Sequence, residues 1–314
     1  MNTIITGSLA IDRIMNFPGA FQEHILPDKI HNINVSFNID DLQEKKGGTA
    51  GNIAYTMSLL DEKPKIVASA GSDFGIYKDY LDSLDINTSG IEIQQEVTTA
   101  SAYIINDQHN NQISGFFMGA MGVETTFYLQ EMDPKETILI LAPGNKGDML
   151  RYSQQARDMG MKYIFDPGQS IPFMEPAEIK KVLDGAYILI VNDYELEMIK
   201  KRTGLTEEDI LHQVEMLIVT RGKEGSTIRL KDVSIDIPAC PVENAVDPTG
   251  AGDAYRAGLI KGIAMELDLE QVGKVAATAA AYAVEHYGTQ EHNFTVSDFC
   301  TRYKDAFSET CPIQ

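Results

Sequence analysis

The chain has 314 residues, with 46 Asp plus Glu against 26 Lys plus Arg and a formal charge of −20. Apolar residues make up 43%, enough for a real core, so wholesale disorder is excluded. The acidic balance argues against nucleic acid as a partner, because phosphate-backbone binding depends on clustered Lys and Arg. It does not exclude small anionic ligands, since exposed charges are screened beyond roughly 8 Å at physiological salt.

Residues 1–14 have no basic leading segment, and Asp12 interrupts their apolar stretch, so no signal peptide is expected. The longest apolar run, 276–284, is too short to span a bilayer. Cys240, Cys300 and Cys311 show no CxxC spacing. Reduced thiols in a cytoplasmic protein follow, rather than a disulfide framework or a zinc site.

Strands are predicted at 3–6, 65–69, 137–142, 162–165, 187–191 and 217–220. Runs such as ILILA and YILIV are apolar on both faces, as a buried parallel sheet requires. Helices are predicted between them at 52–60, 77–84, 149–159, 177–183 and 194–202. This alternation implies right-handed crossovers and a doubly wound α/β sandwich. Two stretches, 30–39 (IHNINVSFNI) and part of 101–117, alternate apolar and polar residues instead. They read as strands with one wet face, either a small sheet covering a site or two ordinary edge hairpins. Further on, 272–284 is Ala-rich and helical, with small side chains that allow another element to approach closely.

Chemistry concentrates in 247–258, DPTGAGDAYRAG. An extended segment, 233–246, leads into Gly250, Ala251 and Gly252, and a helix is predicted from about Asp253 through Ala264. Small residues let backbone approach a ligand, and a helix start aims unpaired N–H groups at an anion. Asp253 at such a mouth suits a base taking a proton from a hydroxyl; a helix cap explains the same turn equally well.

The full string resembles the second signature of the ribokinase-like (PfkB) family of carbohydrate and nucleoside kinases. GGTAGNIA at 47–54 resembles the first signature, and GSLAID, SDFGIYKDYLDSLDINTSGI, VNDYE and TRGKEG match in order from about residue 3 to residue 290. The combination FPGAFQEHILP, DPGQ and DPTGAGDAYRAG is most similar to the prokaryotic nucleoside kinases. The resemblance implies a three-layer α/β/α sandwich formed by a single domain over 1–314, with a small β-sheet lid from approximately 15–45 and 95–118. Competing motifs fail in context. DFG at 73–75 has no HRD loop, no GxxxxGK[ST] occurs, and TGSLAID lacks a dinucleotide fingerprint.

The resemblance also assigns roles. Asp253 is the expected catalytic base, with backbone N–H groups of Gly250, Ala251, Gly252 and Asp253 as the anion hole. Asn192 and Glu195 are expected to position Mg²⁺ beside the ATP phosphates, largely through water, though a helix cap explains the pair when taken alone. Thr220, Arg221, Gly222 and Gly225 resemble the ATP-binding turn, and Lys223 adds charge beside them. Asp12, Gly48 and Asn52 match positions that contact sugar hydroxyls, Gly48 by letting a sugar approach the main chain. Phe37, Phe116 and Phe117 lie in the lid stretches and are candidates to stack on a base or to pack a core. The Ala-rich helix and Gly288 lie where related kinases complete the nucleotide pocket. Asp247 and Thr249 resemble positions near a monovalent-cation site in some relatives, but Pro248 departs from the commoner Thr-Thr or Asn-Thr version, so K⁺ activation does not follow from the resemblance.

The expected activity is transfer from ATP to the 5′-hydroxyl of a purine nucleoside, adenosine favoured, by a monomer or homodimer. A ribose or fructose kinase and a silent nucleoside-binding protein are the alternatives.

Overall fold

The computed structural model describes residues 1–25, 31–32, 34–109 and 111–313. Its strands are β1 (Asn2–Thr6), β2 (Ala10–Asn16), β3 (Asp41–Gly47), β4 (Lys65–Gly71), β5 (Asn87–Gln94), β6 (Ala100–Asn106), β7 (Gln112–Phe117), β8 (Thr137–Leu141), β9 (Lys162–Phe165), β10 (Ile188–Asn192), β11 (Met216–Thr220), β12 (Ser226–Arg229) and β13 (Ser234–Ile237). The α-helices are α1 (Thr49–Leu59), α2 (Gly75–Ser83), α3 (Lys146–Met159), α4 (Pro176–Leu183), α5 (Asp193–Thr203), α6 (Glu207–Leu211), α7 (Ala251–Ala264), α8 (Leu269–Val284) and α9 (Val296–Phe307).

A nine-stranded sheet runs β13-β12-β11-β10-β9-β8-β1-β4-β5. It is parallel from β11 to β5, with β12 and β13 added antiparallel. Successive side chains leave a strand on opposite faces, so each apolar run feeds two cores. Ile138, Ile140, Ile188, Ile190 and Ile218 pack with Ile53, Tyr255 and Val272 on one side. Leu139, Leu141, Leu189, Val191, Leu217 and Val219 pack with Tyr152, Ile179 and Ile199 on the other. This is the three-layer sandwich, with α1, α7 and α8 covering the first face and α3, α4 and α5 the second.

A separate four-stranded sheet, β3-β2-β6-β7, forms the lid. Its centre is a parallel β2–β6 pair, with β3 and β7 antiparallel on the outside. The alternation over 101–117 is the β6–β7 hairpin. Among the described residues of 30–39 no strand forms: 34–39 is irregular, and β3 begins only at Asp41. Residues 30 and 33 of that stretch lie outside the described residues. The aromatic in this stretch serves a local cluster, since Phe37 packs on Phe17 and Phe21 with ring centroids 4.9 and 5.0 Å apart. Three further differences bear on the site. AIDRIMN, with Asp12 inside it, is the central lid strand β2; 233–246 is extended only over β13; and α7 starts at Ala251, two residues before Asp253.

Candidate active site

The C-terminal ends of the parallel strands meet the lid and the start of α7, the edge at which open α/β sheets bind ligands. Gly250 caps α7 in the left-handed conformation, with φ 82°. A side chain there would be strained, and its Cβ would sit 3.2 Å from Thr289. Ala251 N–H donates to Pro248 O at 3.2 Å, so this member of the expected anion hole is tied into the turn. The Gly250, Gly252 and Asp253 N–H groups have no backbone acceptor among the described residues, as the orphan donors of a helix start do not.

Asp253 sits in the first turn of α7, and burial raises its pKa above the usual carboxylate range. Two neighbours oppose that shift: the positive charge of Arg256, and Asn52, whose Nδ2 donates to Asp253 Oδ2 at 2.8 Å. Arg256 is itself buried and paired with Asp166, which follows β9 in DPGQ; Nη2 donates to Oδ1 at 2.6 Å and Nε faces Oδ2. Burial pushes the Asp166 carboxyl up to about 7 against the pull of that guanidinium. Asp166 and Arg256 both lie inside motifs legible in the sequence, DPGQ and DPTGAGDAYRAG, but the motifs alone do not reveal their pairing. Their pairing spans 90 residues and leaves no local pattern.

The sugar-side residues come together less uniformly. Asp12 turns toward the site face of the lid, and burial pushes it up to about 6. A Cβ on Gly47 would lie 2.7 Å from Asp12 Oδ2, so Gly47 is the glycine that opens onto this carboxylate. Gly48, with φ 90°, has its side-chain space filled by Ser8 O and Ala10 N at 2.5 and 2.6 Å. The close approach expected there is therefore made by the chain's own backbone. Asn52 is only 4% exposed, and both ends of its amide are engaged: Nδ2 by Asp253 and Oδ1 by Gln290 Nε2 at 2.9 Å. Across the lid, register places Asp12, Ala102 and Phe116 in one row on the same face, with Phe116 56% exposed. Phe117 shares the opposite face with Ser101 and Ile11. Phe37 belongs to the Phe17–Phe21 cluster.

On the far side of Arg256, Asn192 caps α5. Its Oδ1 accepts from Glu195 N, and Glu195 Oε2 accepts from Asn192 N, each at 2.8 Å. The capping role is thus realised, and Glu195 also lies near enough to Asp253 and Asp166 to raise both carboxyls. Asn192 pairs in register with Thr220 at the end of β11. Beyond it, Arg221 Nη1 donates to Thr227 Oγ1 at 2.5 Å, and Gly222, with φ 55°, faces open space. Gly225, with φ 88°, is pressed against the Ile237 carbonyl, so its close approach is again to the chain itself. Asp247 accepts from Thr249 N at 2.9 Å and from Gly288 N at 3.1 Å, tying the DPTG turn to the segment after α8.

The pfkB family carbohydrate kinase model matches residues 7–295. A nucleoside kinase of Methanocaldococcus jannaschii is 32% identical over 289 residues, covering 90% of each chain. One from Methanothermobacter thermautotrophicus is 32% identical over 302 residues, or 94% of this chain and 96% of that one. Among solved structures, Burkholderia thailandensis nucleoside kinase in complex with inosine superposes with a TM-score of 0.83 at 34% identity, covering 98% of this chain and 99% of that one. The fold and the signatures around Gly47 and Asp253 define a ribokinase-like kinase scaffold, and the chain belongs to the pfkB carbohydrate kinase family.

Proposed function

We propose that this protein is an ATP- and Mg²⁺-dependent nucleoside kinase acting on the 5′-hydroxyl of a purine nucleoside, with adenosine favoured and inosine and guanosine within range. One observation carries the choice of a nucleoside over a free sugar: the Asp12–Ala102–Phe116 row. Strands lie roughly 4.8 Å apart, so the carboxylate and the exposed ring are about 10 Å apart, a span suited to ribose hydroxyls at one end and a base at the other. The similarity to nucleoside kinases, including one solved with inosine, supports the same reading.

In this reading the vicinal hydroxyls of the ribose donate to Asp12, leaving the 5′-hydroxyl beside Asp253. The 5′-oxygen attacks the γ-phosphorus of ATP, the bond to the β–γ bridging oxygen breaks, and ADP leaves. The hydroxyl proton passes to the Asp253 carboxylate. The free N–H groups of Gly250, Gly252 and Asp253 receive the charge developing on the transferred phosphoryl oxygens. Arg221, Gly222 and the end of β11 at Thr220 border the ATP, with Gly225 holding the turn against β13. Glu195 commits Oε2 to its cap and retains Oε1, a donor suited to a hard cation that keeps most of its waters. Mg²⁺, when bound there, supplies neutralising charge on the phosphates. Closure of the lid excludes water as a competing acceptor.

The test is ATP-dependent ADP release across adenosine, inosine, guanosine, pyrimidine nucleosides, ribose and fructose, with Mg²⁺ and K⁺ varied. Turnover with purine nucleosides is expected. Activity on a free sugar alone would replace the substrate assignment, and nucleoside binding without ADP release would make the protein a silent binder.

A further inference from the structure

Asp253 is held by more than its own helix. Gly47 O, at the end of lid strand β3, accepts from Tyr77 OH at 3.0 Å. The Tyr77 oxygen accepts from Gln290 Nε2 at 2.5 Å, and the same amide nitrogen donates to Asn52 Oδ1 at 2.9 Å. Asn52 Nδ2 then donates to Asp253 Oδ2 at 2.8 Å. The polarity of this relay is set from one end. A backbone carbonyl can only accept, so Tyr77 gives its proton to Gly47 and offers a lone pair behind it. Gln290 must therefore present its NH₂, and Asn52 must answer with oxygen, which leaves N–H pointing at the carboxylate.

Two further features show that the relay is built into the packing. A Cβ on Gly51 would lie 2.0 Å from the Tyr77 hydroxyl and 3.2 Å from Gln290 Nε2, so this position in α1 leaves room for the contact. Tyr77, Gln290 and Asn52 are all buried, which keeps water from replacing a missing partner. The segment carrying Gln290 is also clamped to the lid and to the turn before the base. Lys45 Nζ donates to Tyr287 O at 2.9 Å, Thr289 Oγ1 to Lys46 O at 3.2 Å, and Gly288 N to Asp247 Oδ2 at 3.1 Å.

We propose that Gln290 is a positioning residue for phosphoryl transfer, fixing the Asn52 amide so that an N–H and not an oxygen faces Asp253. The inference rests on the reading of Asp253 as the base. Without that donor, a flipped Asn52 would set an oxygen against the carboxylate, misaiming it and favouring its protonated form.

Gln290→Leu and the near-isosteric Gln290→Glu, assayed as full-length protein with adenosine and ATP–Mg²⁺, test this. Both are expected to lower kcat about tenfold at pH 7 and to move the acid limb of the kcat/KM profile up by about one unit, with KM for ATP within about twofold. In an Asn52→Leu background, Gln290→Leu should cost nothing more, because its effect runs through Asn52. A melting temperature that falls while kcat and the acid limb stay unchanged would reduce Gln290 to packing and overturn the proposal, as would additive losses in the double variant. Tyr77→Phe keeps the ring in the core and, should the Gln290 variants unfold, repeats the test from the other end with the same expected shift; an unmoved limb there also overturns it. Asp253→Asn separates the two levels. Full activity in that variant removes the base itself, whereas its loss beside unaffected Gln290 variants removes only the relay.

Discussion

Arg256 and Asp166 form a buried ion pair beneath the turn that carries Asp253, one helical turn from the carboxylate whose ionised form the guanidinium favours. A Cβ on Gly252 would lie 2.5 Å from Arg256 Nη1, so the pair supports the same turn that aims its N–H groups outward. The expected outcome for Arg256→Gln is a loss of about 3–5 kcal/mol in stability, because Asp166 is left buried without its partner. Adding Asp166→Asn should recover most of that stability in urea unfolding. It should not restore activity near neutral pH, since the charge acting on Asp253 is still missing. Recovery of both together would show that the pair acts on folding alone.

Asp253→Asn keeps the shape of the side chain and removes its basicity. The reduction in kcat should be roughly 10²–10⁴, the range for a general base, with nucleoside affinity by calorimetry little changed. An unaltered kcat would take Asp253 out of the reaction.

Asp12 carries a stability penalty at neutral pH, because its ionised form is buried. Burial raises its folded-state pKa to about 6, above the ordinary carboxylate value, so the native state binds the proton more tightly than the unfolded chain. Stability contributed by the protonated form is complete below the unfolded value and is lost as pH rises through about 6. Asp12→Asn should therefore raise the stability of the ligand-free protein at pH 7.5 by up to about 2–3 kcal/mol, with little gain near pH 3.5. The same change should raise KM for the nucleoside, because only one terminal atom of the amide accepts, whereas each carboxylate oxygen can take one of two vicinal hydroxyls. Equal melting shifts at both pH values would contradict the burial argument.

Phe116 and Phe117 are adjacent and point to opposite faces of the lid. Truncating Phe116 to Ala should raise KM for purine nucleosides about tenfold, the equivalent of one lost stacking contact. The melting temperature should hold, since the ring is largely exposed. Phe117→Ala should leave KM unchanged. Equal effects from the two would refute the assignment of Phe116 to the site face.

The central sheet was legible because β8, β10 and β11 are apolar on both faces, a pattern only a covered parallel strand sustains. The lid was legible only in part. AIDRIMN carries Asp12 and Arg13 in the middle of a strand, one serving each face, so no simple alternation marks it. The stretch around Phe37 alternates, but its aromatic closes a local cluster in place of a ladder. Within the site, Asp253, Gly250 and Asn52 lie in signatures that can be read locally. Tyr77 lies inside SDFGIYKDYLDSLDINTSGI and Gln290 at the edge of the matching stretch, yet neither contact is readable there, because their hydrogen bonds join segments far apart in the chain. Gly48 and Gly225 were legible as glycines while the reason for them was not: each makes room for the chain's own backbone.

Asn52 meets Asp253 across 201 residues, and Gln290 meets Asn52 across 238. At about 5–20 residues per second, a ribosome needs roughly 10–50 s to travel from the first of these amides to the last. Throughout that interval the growing chain lacks the Gln290–Asn52 contact. On the reading of Asp253 as a base aimed by that contact, an unfinished chain would hold no aligned site, and activity would begin only once Gln290 has been added and its segment has docked.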